Sequence, residues 1–166
     1  MVLHFAPAEY DARVKRAQES MEAAGLDGLL MFRQESMYYL TGYDTTGFVM
    51  FQCLILNADG RVALLTRSPD LRQAQYTSTI KDIRIWVDSD TVNPYRELRD
   101  LAAELGLEGK RVGIELEAYG LNAAHWEGLK PQLEGFCTFS NASDLISRLR
   151  LIKSPAELAF MKNSAE

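Results

Sequence analysis

Histidine and cysteine are nearly absent from this chain, with two of each in 166 residues. Zinc and similar metals are held mainly by those two side chains, and neither C-x-x-C nor H-E-x-x-H occurs, so the common metal motifs are excluded. Cys53 and Cys137 lie far apart, each in an apolar strand-like run, and are expected to be buried free thiols. An excess of cations is missing too. Eighteen Lys and Arg stand against 23 Asp and Glu, a formal net charge of -5. That is the wrong balance for a phosphate-binding face. No apolar run approaches the ~20 residues that span a bilayer. The first residues, Met1-Val2-Leu3-His4-Phe5, lack the basic region and apolar core of a signal peptide. No nucleic acid and no membrane are therefore expected as partners, and the cytoplasm is the expected location. Glycine-rich phosphate loops, a G-x-S-x-G elbow and a Ser/His/Asp order are absent as well.

What is present is an ordinary globular composition, 47% hydrophobic and 25% charged, enough for a proper core in about one domain. Tyr10, Val14, Ala17, Met21 and Ala24 repeat at helical spacing before Gly25. Leu29 to Phe32 reads as a buried strand, and Ser36 to Leu40 as a helical turn stopped by Gly42. The long apolar run Phe48 to Leu56 and the return strand Arg61 to Thr66 flank the turn Asn57-Ala58-Asp59-Gly60, which predicts a hairpin. Pro69 and Asp70 open a short helix containing Ala74, and Ile83 to Val87 is the next strand. Asn93-Pro94 starts a helix whose apolar face is Leu98, Leu101, Ala102 and Leu105. Arg111 to Glu115 is a strand, Asn122 caps a helix carrying Trp126, Leu129 and Leu133, and Phe136 to Phe139 is a last short strand. Asp144 to Arg150 is helical. The pattern predicts an α/β fold: α/β/α layers around one mixed sheet of about six strands, the hairpin antiparallel and the strand–helix–strand units parallel.

Groups that could do chemistry are few. His4 sits near the terminus. His125 lies in the first turn of a helix, where the dipole favours a neutral imidazole, and a surface or packing role is expected. Asp88-Ser89-Asp90 could hold a hard cation, but it reads better as a polar strand-to-helix loop. Glu115 and Glu117 fall on one side of a continued strand and could form an acid/base pair, although a solvated edge fits better without a nucleophile or oxyanion donors nearby. Arg61, Arg67 and Arg72 could gather at one loop edge to bind a carboxylate, but such clusters are usually solvated. The segment from Tyr38 through Thr41-Gly42-Tyr43-Asp44-Thr45-Thr46-Gly47 to Phe48 is richer. It is either a loop presented to a ligand by a rigid sheet or a structured connection whose tyrosines cover the core.

The last segment carries a strong helix start. Ser154 can cap, Pro155 suits the first helical position, and Glu157 can reach back to the cap. The helix is expected to continue to Glu166 with an apolar stripe of Leu158, Met161 and Ala165, which should fray, fold back or pack on a neighbour.

Four segments together resemble the N-terminal domain of the creatinase/prolidase family. Met37 to Tyr43 is similar to an N-x-x-Y-L-T-G segment, with Glu35-Ser36 where the family commonly has Asn. Leu149 to Leu158 is similar to an R-x-I-K-S-P-x-E-I/L junction. The opening helix from Arg13 or Arg16 to Asp27, and Val112-Gly113-Ile114-Glu115, match in order.

The resemblance implies a ribonuclease H-like domain over residues 1–150. Residues 151–166 would be the linker and first helix leading to a C-terminal pita-bread catalytic domain absent from this chain. In the peptidase members that second domain binds two divalent ions (Mn, Co or Zn) through Asp, Asp, His, Glu and Glu. Metal-activated water then hydrolyses an amide bond, often before proline. None of those ligands is expected here, so the 166-residue chain alone is expected to be inactive and without a cofactor. The domain is expected to aid a homodimer and to lend loop residues to the partner's substrate site. Tyr43, Asp44, Thr45 and Phe48 are the expected substrate-facing positions, with Arg67 beside them. The substrate would be a small peptide of the Xaa-Pro aminopeptidase or dipeptidase type. Two alternatives are a small amide, as in creatinase or ectoine hydrolase, and a non-catalytic interaction module.

Overall fold

Alternation along the central strands sorts apolar side chains to two faces. The computed structural model describes residues 3–165. Strand β1 (Gly28–Met31) sends Leu29 and Met31 to one face, while Leu30 and the following Phe32 go to the other. Strands β2 (Cys53–Asn57) and β3 (Val62–Arg67) divide likewise, with Leu54, Leu56 and Leu64 against Cys53, Ile55, Ala63 and Leu65. Both faces of a sheet so patterned must be covered by helices.

One face packs on α1 (Pro7–Ala23), α2 (Gln34–Thr41), α3 (Leu71–Thr77) and α6 (Asp144–Leu151), through Ala17, Met21, Met37, Leu40, Ala74 and Ile146. The other packs on α4 (Pro94–Glu104) and α5 (Ala123–Leu133), through Leu98, Leu101, Ala102, Leu129 and Leu133. Strands β4 (Asp82–Trp86), β5 (Arg111–Ile114) and β6 (Thr138–Asn141) complete a six-stranded sheet in the order β4-β3-β2-β1-β5-β6. Only β2 runs against the rest: it is antiparallel to β1 and β3, and the other neighbours are parallel. The expected three-layer α/β architecture is the observed one.

The local signals explain most boundaries. Asn93 accepts from the N–H groups of Tyr95 and Arg96 and starts α4, and Asn122 accepts from His125 N–H and starts α5. Gly42 takes φ +80° after α2, and Gly60 takes φ +90° in the hairpin turn.

Four expectations shift. The apolar run from Phe48 is strand only from Cys53. Gly47–Val49 instead forms a 3-10 turn that leaves Phe48 and Val49 outside the core. The last strand begins at Thr138, because Phe136 is already buried between α4, α5 and the sheet. Glu115 lies on no solvated edge. β5 ends at Ile114, and the next side chain turns inward and is fully buried, whereas Glu117 is exposed. Finally, α7 (Pro155–Asn163) ends before Ser164, and Glu166 lies outside the described residues. Leu158 and Met161 of its stripe stay exposed. Phe160 is the side chain that folds back, its ring 5.0 Å from that of Phe5.

Candidate functional site

Five of the six strands point the same way, so their carboxyl ends share one edge, the side where open α/β sheets present ligand-binding loops. The segment between α2 and β2 crosses that edge. Its path starts at Gly42, whose N–H donates to Tyr38 O at 2.8 Å and whose positive φ turns the chain off the helix.

Tyr43 then points into the protein. Its side chain is fully buried, and its hydroxyl donates to Gln52 Oε1 at 3.0 Å and lies 3.4 Å from Thr66 Oγ1. Burial pushes the phenol above the ordinary tyrosine range. Thr45 is also buried, and its Oγ1 accepts the Gly47 N–H at 2.8 Å, a small turn that tightens the loop. Asp44 is exposed, and its backbone N–H donates to Thr77 Oγ1 at 3.2 Å. Phe48 is 37% exposed and meets Tyr119 edge to face, with centroids 5.6 Å apart. Val49 beside it is 67% exposed. Arg67 ends β3 half-buried, with Nε 3.6 Å from Asp70 Oδ2 and Nη1 3.7 Å from Asp88 Oδ2. These are charge contacts without hydrogen bonds, since neither Arg67 Nε nor Asp70 Oδ2 has a hydrogen-bond partner.

The five expected positions therefore separate into two roles. Tyr43 and Thr45 anchor the loop from inside, and Asp44, Phe48 and Arg67 reach the surface. The outward three do not converge. Gly47 packs directly on Asp70, where an added Cβ would lie 2.6 Å from Oδ1, so the turn and the Arg67–Asp70 pair form one unit. Phe48 leans instead toward Tyr119. Asp44 lines a separate cleft of about 680 Å³ with His4, Tyr38, Arg13 and Glu157.

Two residues that matter to this edge were not singled out for it in the sequence. Tyr119 donates its hydroxyl to Glu35 Oε2 at 2.9 Å and accepts the Gln34 N–H at 3.1 Å, so it ties the loop after β5 to the start of α2. Burial raises its pKa, reinforced by the Glu35 carboxylate. Glu115 accepts the N–H groups of Phe32 and Arg33, each at 2.9 Å, and the Ser36 hydroxyl at 2.5 Å. Burial holds its carboxyl above the ordinary glutamate range, against the opposing pull of those bonds. With both oxygens engaged internally, Glu115 organises the start of α2 and leaves no free acid/base group. The Ser36 hydroxyl thereby ties the first turn of α2 to a residue far away in sequence. His125 takes the expected packing role: its ring lies 5.3 Å from Phe51, Nδ1 is 3.1 Å from Tyr95 Oη, and burial lowers its pKa.

Among the described residues no group of three or more His, Cys, Asp or Glu side chains comes together in a way that could hold a metal ion. The two-ion set implied by the resemblance thus meets no matching ligand cluster among the described residues. No helix among the described residues is long and apolar enough to cross a membrane.

The profile of the creatinase/prolidase N-terminal domain matches residues 13–152. The chain belongs to that family. It is 32% identical over 170 residues to an uncharacterized hydrolase/peptidase of Sinorhizobium fredii, covering 98% of this chain and 43% of that protein. It is 28% identical over 174 residues to the ectoine hydrolase of Halomonas elongata, covering 96% of this chain and 42% of that protein. The chain thus spans less than half the length of these curated relatives. Among solved structures, a dipeptidase of Pyrococcus horikoshii superposes with a TM-score of 0.72 at 28% identity, covering 89% of this chain and 38% of that one. In the dipeptidase as in the two curated relatives, the matched region is less than half of the longer chain.

Proposed function

We propose that this domain is the N-terminal part of a metal-dependent hydrolase of Xaa-Pro peptides, acting as an aminopeptidase or dipeptidase. In this reading residues 1–150 are the N-terminal domain and residues 151–166 lead into a C-terminal catalytic domain that carries the two metal ions. The domain itself does no chemistry. It aids a homodimer and offers its loop edge to the partner's substrate site. Asp44, Phe48 and Arg67 are then candidate substrate contacts at separate points of that edge, while Tyr43 and Thr45 hold the loop in shape from behind. The observation that carries the reading is the dipeptidase superposition at 28% identity, joined to an exposed loop at the carboxyl edge of a mostly parallel sheet.

A second reading keeps the fold and changes the substrate to a small amide or amidine. The likeness to ectoine hydrolase favours it. The two separate in one assay. The full-length protein, loaded with Mn, Co or Zn, is offered a panel of Xaa-Pro dipeptides and a panel of small cyclic amidines and amides. Proline-peptide turnover abolished by a chelator supports the first reading, and turnover of the small amides alone supports the second. Turnover of neither panel, with or without metal, overturns both and leaves a non-catalytic interaction module.

A further inference from the structure

Arg13 is a charged residue on the buried face of α1, 1% exposed. Its guanidinium lies 4.2 Å from the Phe5 ring centroid, 4.6 Å from that of Tyr39 and 5.5 Å from that of Tyr10. Such a cage suits a cation that has lost its water, provided that its N–H groups find acceptors. Two partners come from the domain: Nε donates to Glu9 Oε1 at 3.1 Å, and Nη1 to Tyr39 O at 2.9 Å. Nη2 has no hydrogen bond, and its nearest carboxylate is Glu157 Oε1 of α7, at 3.4 Å.

Glu157 serves two structures with its two oxygens. Oε2 accepts the Ser154 N–H at 2.8 Å, while the Ser154 Oγ accepts the Glu157 N–H at 3.2 Å, closing the capping box that starts α7. Oε1 faces Arg13. One turn on, at i+3, Phe160 rests on Phe5, which is also a wall of the cage. The end of α6 and the chain after it offer no comparable anchor, since Leu151 is 76% and Ile152 is 78% exposed. A nine-residue helix is marginal on its own, so what holds it decides whether it stays in place.

The geometry points to a latch: the caged Arg13 guanidinium grips the Glu157 carboxylate and so sets the direction in which α7, and any chain beyond it, leaves the sheet domain. Arg13 and Glu157 are positioning residues. They belong to the opening-helix and junction segments, 144 positions apart by their numbers (157 against 13). The latch is independent of what the whole protein hydrolyses and is tested on this chain.

The experiment is hydrogen–deuterium exchange with Glu157→Gln, which removes the charge but keeps an acceptor oxygen for the Ser154 N–H. Amides of residues 156–163 should exchange roughly three- to ten-fold faster, with α1–α6 unchanged. Tryptic cleavage after Lys153 should quicken in parallel. Phe160→Ala should act in the same place. Arg13→Met should reproduce the local effect, and if it fails to fold, the other two variants decide. Unchanged exchange of residues 156–163 in Glu157→Gln, or an increase spread evenly over α1–α6, overturns the latch.

Discussion

The Ser36 hydroxyl donates to the buried Glu115 carboxylate at 2.5 Å, which fastens the first turn of α2 to the end of β5. Removing either partner strands buried polar groups. Ser36→Ala should cost about 1–2 kcal/mol. Glu115→Ala, which leaves the Phe32 and Arg33 N–H groups unsatisfied as well, should cost about 3–4 kcal/mol. Urea unfolding of the two variants checks the order, and equal losses would contradict it.

The same carboxyl gives a pH dependence. Its folded pKa is raised by burial, so the folded protein holds that proton more tightly than the unfolded chain. The stability it contributes is fully present below the unfolded glutamate value and is lost as pH rises through the raised one. Wild type should therefore lose stability relative to Glu115→Gln as pH climbs from the ordinary glutamate range through that window. Urea midpoints of both proteins across mildly acidic pH measure the difference.

His125 runs the other way. Burial beside Phe51 and Tyr95 lowers its pKa. Its contribution is present above the ordinary histidine range and is lost as pH falls through the lowered folded value. NMR titration of its ring should show a midpoint below the ordinary value in the folded protein and a return to it in urea. A folded midpoint at or above the ordinary value would refute the burial.

Gly42 and Gly109 both hold positive φ, at +80° and +70°, but in different surroundings. A Cβ on Gly42 would lie 2.9 Å from both Thr77 O and Tyr10 Oη, whereas one on Gly109 would meet nothing within 4 Å. Gly109→Ala should cost about 1 kcal/mol from backbone strain alone. Gly42→Ala should cost distinctly more, about 2–3 kcal/mol. Matched thermal or urea melts separate the backbone contribution from the crowding.

At the loop edge, Phe48→Ala and Asp44→Asn in the full-length protein should raise KM several-fold while shifting stability by no more than about 0.5 kcal/mol, because both side chains are exposed. Tyr43→Phe should instead lower stability by about 1 kcal/mol, because it removes a buried hydroxyl bonded to Gln52. Steady-state kinetics set beside melting data distinguish the outward from the inward residues of this one loop.

Local chemistry makes much of the fold legible in the amino-acid sequence. Asn93, Asn122 and the Ser154–Glu157 box start the helices that their side chains announce, and Gly42 and Gly60 turn where a positive φ is needed. Alternation in β1 to β3 is clear because both faces are buried. The partners of Glu115 are not legible, because Phe32, Arg33 and Ser36 lie about eighty positions earlier and only the parallel pairing of β1 with β5 brings them near. The inward turn of Tyr43 is hidden for a similar reason: Gln52, just before β2, and Thr66 on β3 fix it, and only the folded sheet brings the two together. Arg13 does leave a signal. It sits three residues after Tyr10 and four before Ala17, on the apolar face, where a charge requires a partner.

The strand order has a consequence for the birth of the protein. The three strands at the heart of the sheet, β1, β2 and β3, are consecutive in sequence and joined by short-range antiparallel pairings, complete by Arg67. β4 then adds on one side, and β5 and β6 on the other. A chain emerging from the ribosome N-terminus first thus has the nucleus of its sheet available before half of it is made, and each later strand docks on an edge already formed.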